Sequence, residues 1–413
     1  MSTLFTPART ERPRSVYVHV PFCLSVCPYC DFVVQGGRPA TEAGGSLDRY
    51  LAALLAELHL RAAGPVQSPP RPGLETIYVG GGTPSLLGPR RVGALLEAVD
   101  RELGIARGAE ISIEVNPGPR DRGDLAGFVA AGVTRVSIGA QSLQPGELRR
   151  LGRRHSPDDV ADTVRLARAA GATSVSLDLL YDVPGQTLES WEATLDAALG
   201  LEPDHLSAYA LTLDDPDAEG LTGPGGDHLP VRPGARRWRA SAALEQDPDR
   251  GAAMYRLADG RLGRAGLRWY EVSNWARPGH RCRHNLAYWQ RRPHLALGPG
   301  AHGFDGHRRW WNAARLEGYV RALLPEGAVS PALPPGGFET IDDRAELAEG
   351  AILGLRLSDG LEADVARGLR DDPAIREALT WGKTERLLED AESGLTLTMR
   401  GRLLADEIFV RMV

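Results

Sequence analysis

The chain contains no apolar run approaching the ~18–20 residues that a helix needs to cross a bilayer. It has no basic excess either. Its 48 Lys and Arg stand against 54 Asp and Glu, giving a net charge of −6, which argues against broad electrostatic binding of nucleic acid. The start, MSTLFTPARTERPRS, carries Arg9, Arg12 and Arg14 with no apolar stretch behind them, so it does not read as a secretory signal and the expected compartment is the cytoplasm. Repeats are absent, because the 48 Gly and 30 Pro fall at punctuation points. Hydrophobic residues at 42% and charged residues at 25% exclude a disordered or fibrous chain.

Cysteine is scarce and unevenly placed. Of four, Cys23, Cys27 and Cys30 lie within eight residues, and Cys282 stands alone. Three thiols so close cannot all pair, and in a reducing compartment such a cluster points to metal or redox chemistry. A structural zinc site wants four closed ligands, the fourth coming from Cys282 or a distant His. A [4Fe–4S] cluster on three thiolates leaves one iron open to a non-protein ligand.

Short β-branched runs alternate with amphipathic stretches. Strands are predicted at 16–20, 76–80, 110–115, 134–139, 174–179 and 205–210, with helices at 47–63, 89–103, 123–132, 156–171 and 188–201. Six strand–helix units imply an α/β fold with a parallel sheet and right-handed crossovers, closed as a partial (β/α)6 TIM-like barrel. Polar or glycine-rich loops follow the strands, and the carboxyl ends of barrel strands build the active site. The predicted organisation is an N-terminal tail (1–13), the barrel (14–215), a region flanking its mouth (216–325) and a small C-terminal domain (336–413). That last domain reads as mainly helical and winged-helix-like, and its mixed charge gives no support to nucleic-acid binding. Between them, 325–338 has linker composition.

HVPFCLSVCPYCDF resembles the CxxxCxxC loop of the radical S-adenosylmethionine (SAM) superfamily. GGGTPS (80–85), EVNP (114–117), RVSIGAQS (135–142), LGRRH (151–155), PGQT (184–187), YEVSNWA (270–276), CRHNLAYW (282–289) and GPGAHG (298–303) follow in the order of the oxygen-independent coproporphyrinogen III oxidase family. The sequence is most similar to the HemW-type haem chaperone branch of that family. The resemblance implies a [4Fe–4S] cluster on Cys23, Cys27 and Cys30, with SAM chelating the open iron. It implies SAM contacts from Tyr17, Tyr29, Gly81, Gly82, Thr83, Glu114, Gln141, Arg153 and Asp178. The residue types suit these roles: glycines free the backbone, a carboxylate accepts from ribose hydroxyls, and a guanidinium pairs with a carboxylate.

His284-Asn285-Leu286-Ala287-Tyr288-Trp289 matches the HNxxYW motif that the chaperone branch links to haem. With Cys282 the segment offers a thiol, an imidazole and flat aromatics, so Cys282, His284, Tyr288 and Trp289 are the implied haem residues. The implied partners are haem and a haem-accepting protein, with peripheral contact to membrane haem proteins as one form of delivery. Phe32 stands where the oxidases carry a further cysteine, and they have a longer segment ahead of the cluster than the 22 residues here. Asp182-Val183 and Gly303 also depart from the usual pattern at loops near the mouth. Haem delivery is therefore the first expectation and no catalytic residue is assigned. SAM-dependent oxidation of coproporphyrinogen III is the enzymatic alternative, and a zinc-stabilised interaction module the remote one. Counting iron after anaerobic reconstitution separates them: Cys27→Ser is expected to lose the cluster and Cys282→Ser to keep it.

Overall fold

The computed structural model describes residues 12–63, 73–392 and 394–413. Most of the predicted N-terminal tail, residues 1–11, lies outside that range. Six strands run parallel in chain order: β1 (Ser15–Val20), β2 (Leu74–Gly81), β3 (Ile105–Val115), β4 (Arg135–Gln141), β5 (Ser174–Tyr181) and β6 (His205–Ala210). Helices α1 (Ser46–Ala62), α2 (Gly88–Leu103), α3 (Leu125–Ala130), α4 (Pro145–Arg150), α5 (Pro157–Ala169) and α6 (Leu188–Leu199) connect them. Local chemistry fixes their ends. Ser156 accepts from the Asp159 N–H while the Asp159 carboxylate accepts from the Ser156 N–H, and Pro157 supplies a preset first helical turn for α5. Thr187 and Ser190 make the same reciprocal cap for α6.

The strands alternate strictly. Val16, Val18, Ile77, Val79, Ile113, Val136 and Leu177 face the helices and are fully buried, each worth about 1.5–3 kcal/mol on leaving water. The other face of every strand turns into the barrel, and it is polar. Thr76 donates to Ser15, Tyr78 to Glu114, and Ser137 and Ser207 to Asp178 across the interior. Closed barrels usually fill this space with apolar layers. Here a hydrogen-bonded lumen takes their place.

Beyond the six predicted strands the sheet continues at both edges. Next to β6 lie β7 (Arg268–Glu271) and β8 (Asn274–Ala276). Beside β1 come β9 (His294–Leu297), β10 (His302–Phe304), β11 (Arg308–Asn312) and β12 (Gly336–Thr340). The order across the sheet is β12-β11-β10-β9-β1-β2-β3-β4-β5-β6-β8-β7. The flanking region thus supplies edge strands as well as loops, and the stretch read as a linker ends inside the sheet. These strands are three to five residues long, too short for periodicity to reveal. Helices α7 (Pro233–Ala243), α8 (Pro248–Arg264), α9 (Arg283–Trp289) and α10 (Leu316–Leu323) complete this part. A separate apolar cluster, with Leu355, Leu369, Leu379 and Ile408, forms the core of the mainly helical C-terminal portion and its three short strands. Among the described residues no helix is long and apolar enough to cross a membrane.

One buried carboxylate joins the barrel to its extension. Glu57 on α1 is 0% exposed and accepts from Arg61 Nε (2.7 Å), Asn312 Nδ2 (2.8 Å), Tyr319 OH (2.7 Å) and the Gly298 N–H (2.9 Å). Its donors come from α1, β11, α10 and the loop after β9. Glu57→Ala strands Arg61 and three further donors. The expected loss is about 3–5 kcal/mol, as for breaking a buried ion pair, read as a lowered denaturation midpoint.

Candidate functional site

The chain leaves β1 through Pro21 and returns at Gln35 and Gly36, which pair with Phe22 and Cys23 and close the cysteine loop into a ring. The Gly37 N–H donates to the Cys23 carbonyl, and the Cys30 N–H to that of Cys27. Arg239 of α7 then clamps the loop from outside, donating to the carbonyls of Pro28 (3.2 Å), Tyr29 (3.2 Å) and Cys30 (2.9 Å). Thr83 Oγ1 lies 3.5 Å from Cys23 Sγ and Arg153 Nη1 3.6 Å from Cys27 Sγ. Burial pushes the Cys23 thiol up to about 11 and the Cys30 thiol up to about 12, so these thiolates require a cation to stabilise them. Among the described residues no group of three His, Cys, Asp or Glu converges on a single metal ion. Three cysteines spread around one loop instead suit a polynuclear cluster, in which each thiolate takes a different iron. A Cβ at Gly82 would stand 2.7 Å from the Phe22 carbonyl and 3.0 Å from Cys23 Sγ, so only glycine fits against this loop.

The residues predicted for SAM gather on the lumen and its carboxyl-end rim. Glu114 accepts from the Gly81 N–H (2.9 Å) and from Tyr78 OH (2.9 Å). Burial, then the nearby Asp178, lifts its carboxyl to about 7. Asp178 is satisfied by the hydroxyls of Ser137 and Ser207, both at 2.9 Å, and burial raises its carboxyl as well. Arg153 donates to Asn116 Oδ1 (2.5 Å) and the Gly139 carbonyl (2.8 Å), while Asn116 donates to Thr83 Oγ1 (2.9 Å). A polar line thus runs from Cys23 through Thr83, Asn116 and Arg153 to Cys27. Gln141 ends β4 in the left-handed region at φ 65°, an unfavourable conformation for a side chain of this size. Burial lowers His19 to about 4, so its ring is neutral. Its Nε2 therefore donates to the Val33 carbonyl (2.8 Å), and Nδ1 accepts from Tyr17 OH (3.0 Å). The Tyr29 ring lies 6.4 Å from that of Trp238 on α7. Beside Cys27 a cavity of about 340 Å³ opens, with Asn116, Asp121, Arg153 and His155 in its wall. Asn116, Arg239 and Tyr78 have no role in the sequence reading. Asn116 lies inside a quoted motif and was within reach, whereas nothing around Arg239 marks it.

The predicted haem residues lie at the opposite end. Helix α9 closes the amino end of the barrel and does not flank its mouth. His284 is 1% exposed; Nδ1 meets Thr76 Oγ1 at 2.8 Å and Nε2 meets Tyr288 OH at 2.8 Å, leaving no free ring nitrogen. Burial, then His294, lowers it to about 3. Tyr288 is wedged edge-on between the His284 and His294 rings, at 4.9 and 4.6 Å. Cys282 is buried with Sγ 3.6 Å from Glu110, and burial followed by that carboxylate raises its thiol to about 12. The guanidinium of Arg356 covers the Trp289 ring at 5.7 Å.

The radical SAM superfamily pattern matches residues 17–198. The chain is 42% identical over 397 residues to the haem chaperone HemW of Mycobacterium tuberculosis, covering 96% of this chain and 94% of that protein. It is 34% identical to the mitochondrial radical S-adenosyl methionine domain-containing protein 1 of Bos taurus, covering 95% and 84%. The solved structure of coproporphyrinogen III oxidase HemN from Escherichia coli superposes with a TM-score of 0.78 at 24% identity, covering 98% of this chain and 91% of that one. That likeness establishes the fold.

The lifted carboxyl of Glu114 carries a pH signature. The folded state holds its proton from the ordinary value of 4.5 up to about 7, whereas the unfolded chain releases it near 4.5. Stability therefore falls as pH rises through that window and levels off above it. Asp178 contributes with the same sign. Glu114→Gln is expected to flatten the fall, measured by urea denaturation of both proteins at about pH 5 and about pH 8.

Proposed function

Since the chain belongs to the HemW family of haem chaperones within the radical SAM superfamily, we propose that it binds haem in the cytoplasm and delivers it to an acceptor protein. Residues 14–215 are the cofactor-binding unit of this proposal, with 216–325 flanking it and 336–413 as a separate domain. The observation that carries it is the likeness to haem chaperones across nearly the whole chain, C-terminal portion included. Cys23, Cys27 and Cys30 hold a [4Fe–4S] cluster, with SAM at the fourth iron. When bound, the cluster supplies single electrons and coordinates SAM. Arg153 faces the SAM carboxylate, Glu114 and Asp178 offer acceptors to its hydroxyls, and Tyr17, Tyr29, Gln141, Gly81, Gly82 and Thr83 form the walls.

Phe32, 57% exposed just past the cluster loop, puts an apolar ring where the oxidases carry a further cysteine, which favours a carrier over an oxidase. Haem contact through Cys282, His284, Tyr288 and Trp289 requires α9 to leave the barrel floor, because both His284 nitrogens are engaged there. The test is a haem titration of cluster-loaded protein, followed by transfer to an apo-haem protein. A saturable Soret band and transfer are expected, with no multiple-turnover conversion of coproporphyrinogen III. Turnover with SAM and a reductant would instead make the protein an oxidase.

A further inference from the structure

We infer that Tyr78 and His284 are positioning residues for the SAM site: they hold the Glu114 carboxylate in place from the barrel floor. The inference rests on the proposed SAM role of Glu114. Among the described residues Glu114 makes no ion pair. Among the described residues its hydrogen-bond donors are the Gly81 N–H on one oxygen and Tyr78 OH on the other, each at 2.9 Å. The backbone donor is fixed by β2, so the orientation of the carboxylate depends on where the Tyr78 ring sits.

That ring belongs to a cluster of three, with Tyr17 and His284 themselves 6.4 Å apart. Tyr17 stacks on it at 6.2 Å and 26°, and His284 at 5.2 Å and 29°. His284 is itself immobilised, with Thr76 on one nitrogen and Tyr288 on the other. A continuous series of contacts therefore runs from α9 through His284 and Tyr78 to Glu114 and the Gly81 amide. Gly80 makes room for it. A Cβ there would lie 2.9 Å from Tyr78 Cε1, 3.1 Å from Glu114 Oε1 and 3.1 Å from Tyr17 Cε2. The first glycine of the GGG run thus serves the carboxylate and its two rings, while Gly82 serves the cysteine loop.

A helix that only plugs the floor would not need the hydroxyl of Tyr78 to meet the carboxylate, and this separates positioning from packing. Tyr78→Phe keeps the stacked ring and removes only the hydroxyl. SAM binding to cluster-loaded protein is expected to weaken roughly 10-fold, the loss of one hydrogen bond to a charged acceptor. Because that bond favours the ionised carboxylate, the midpoint of the pH dependence of SAM binding is expected to move upward in Tyr78→Phe. The other titratable groups turned toward Glu114 are Asp178, Tyr17, Tyr209 and Tyr288. His284→Asn, compared at equal iron content, is expected to weaken SAM binding in the same direction; Tyr78→Phe decides the matter if that variant does not fold. Wild-type affinity and an unmoved midpoint in Tyr78→Phe overturn the inference and leave the SAM site standing. Failure of cluster-loaded wild type to bind SAM overturns the site as well.

Discussion

Polar side chains turned inward from six parallel strands need partners inside the barrel, because a buried polar group left unpaired costs about 1–3 kcal/mol. Nearly all of them find one, the Ser112 hydroxyl being an exception. This constraint organises the molecule. Ser15 with Thr76, Tyr78 with Glu114, Asp178 with three serines, and Ser176 with His205 are its local solutions. Together they make a polar lumen enclosed by an apolar sleeve. An oily interior would have sealed the barrel. A polar one carries donors and acceptors up to the strand ends beside the cysteine loop.

The barrel is closed at its amino end by chemistry of the same kind. Helix α9 brings His284 and Tyr288 into the lumen, where Thr76 and the Tyr78 ring receive them. Its first amides, on Arg283 and His284, donate to the Glu110 carboxylate. This explains why a histidine, a tyrosine and a thiol that resemble a haem-ligand set in the sequence are buried and engaged. Their neighbours come from β2 and β3, some 170 to 210 residues earlier in the chain.

The cysteine loop depends on the same architecture from the other side. Its ring is closed by two short backbone pairings, its outer carbonyls are held by Arg239, and its inner sulfurs meet Thr83 and Arg153. The segment 214–236, which has loop composition, leads into α7 and so delivers Arg239 to the loop. That segment is thus a route to a structural clamp.

The local patterns determined a good deal. Short β-branched runs marked all six barrel strands, amphipathic stretches marked α1, α2, α3, α5 and α6, and the spacing of Cys23, Cys27 and Cys30 placed three thiols on one loop. Each of these signals is carried by residues a few positions apart, where backbone geometry alone fixes the outcome. Tertiary structure decided the rest. The edge strands β7 to β12 are too short to announce themselves, and they form because a sheet edge already exists to pair with. Arg239 and Asn116 act through partners far away in the chain. The placement of Cys282 and His284 at the barrel floor was settled by which buried polar groups on β2 and β3 still needed a partner, and a sequence does not record that until the strands are packed side by side.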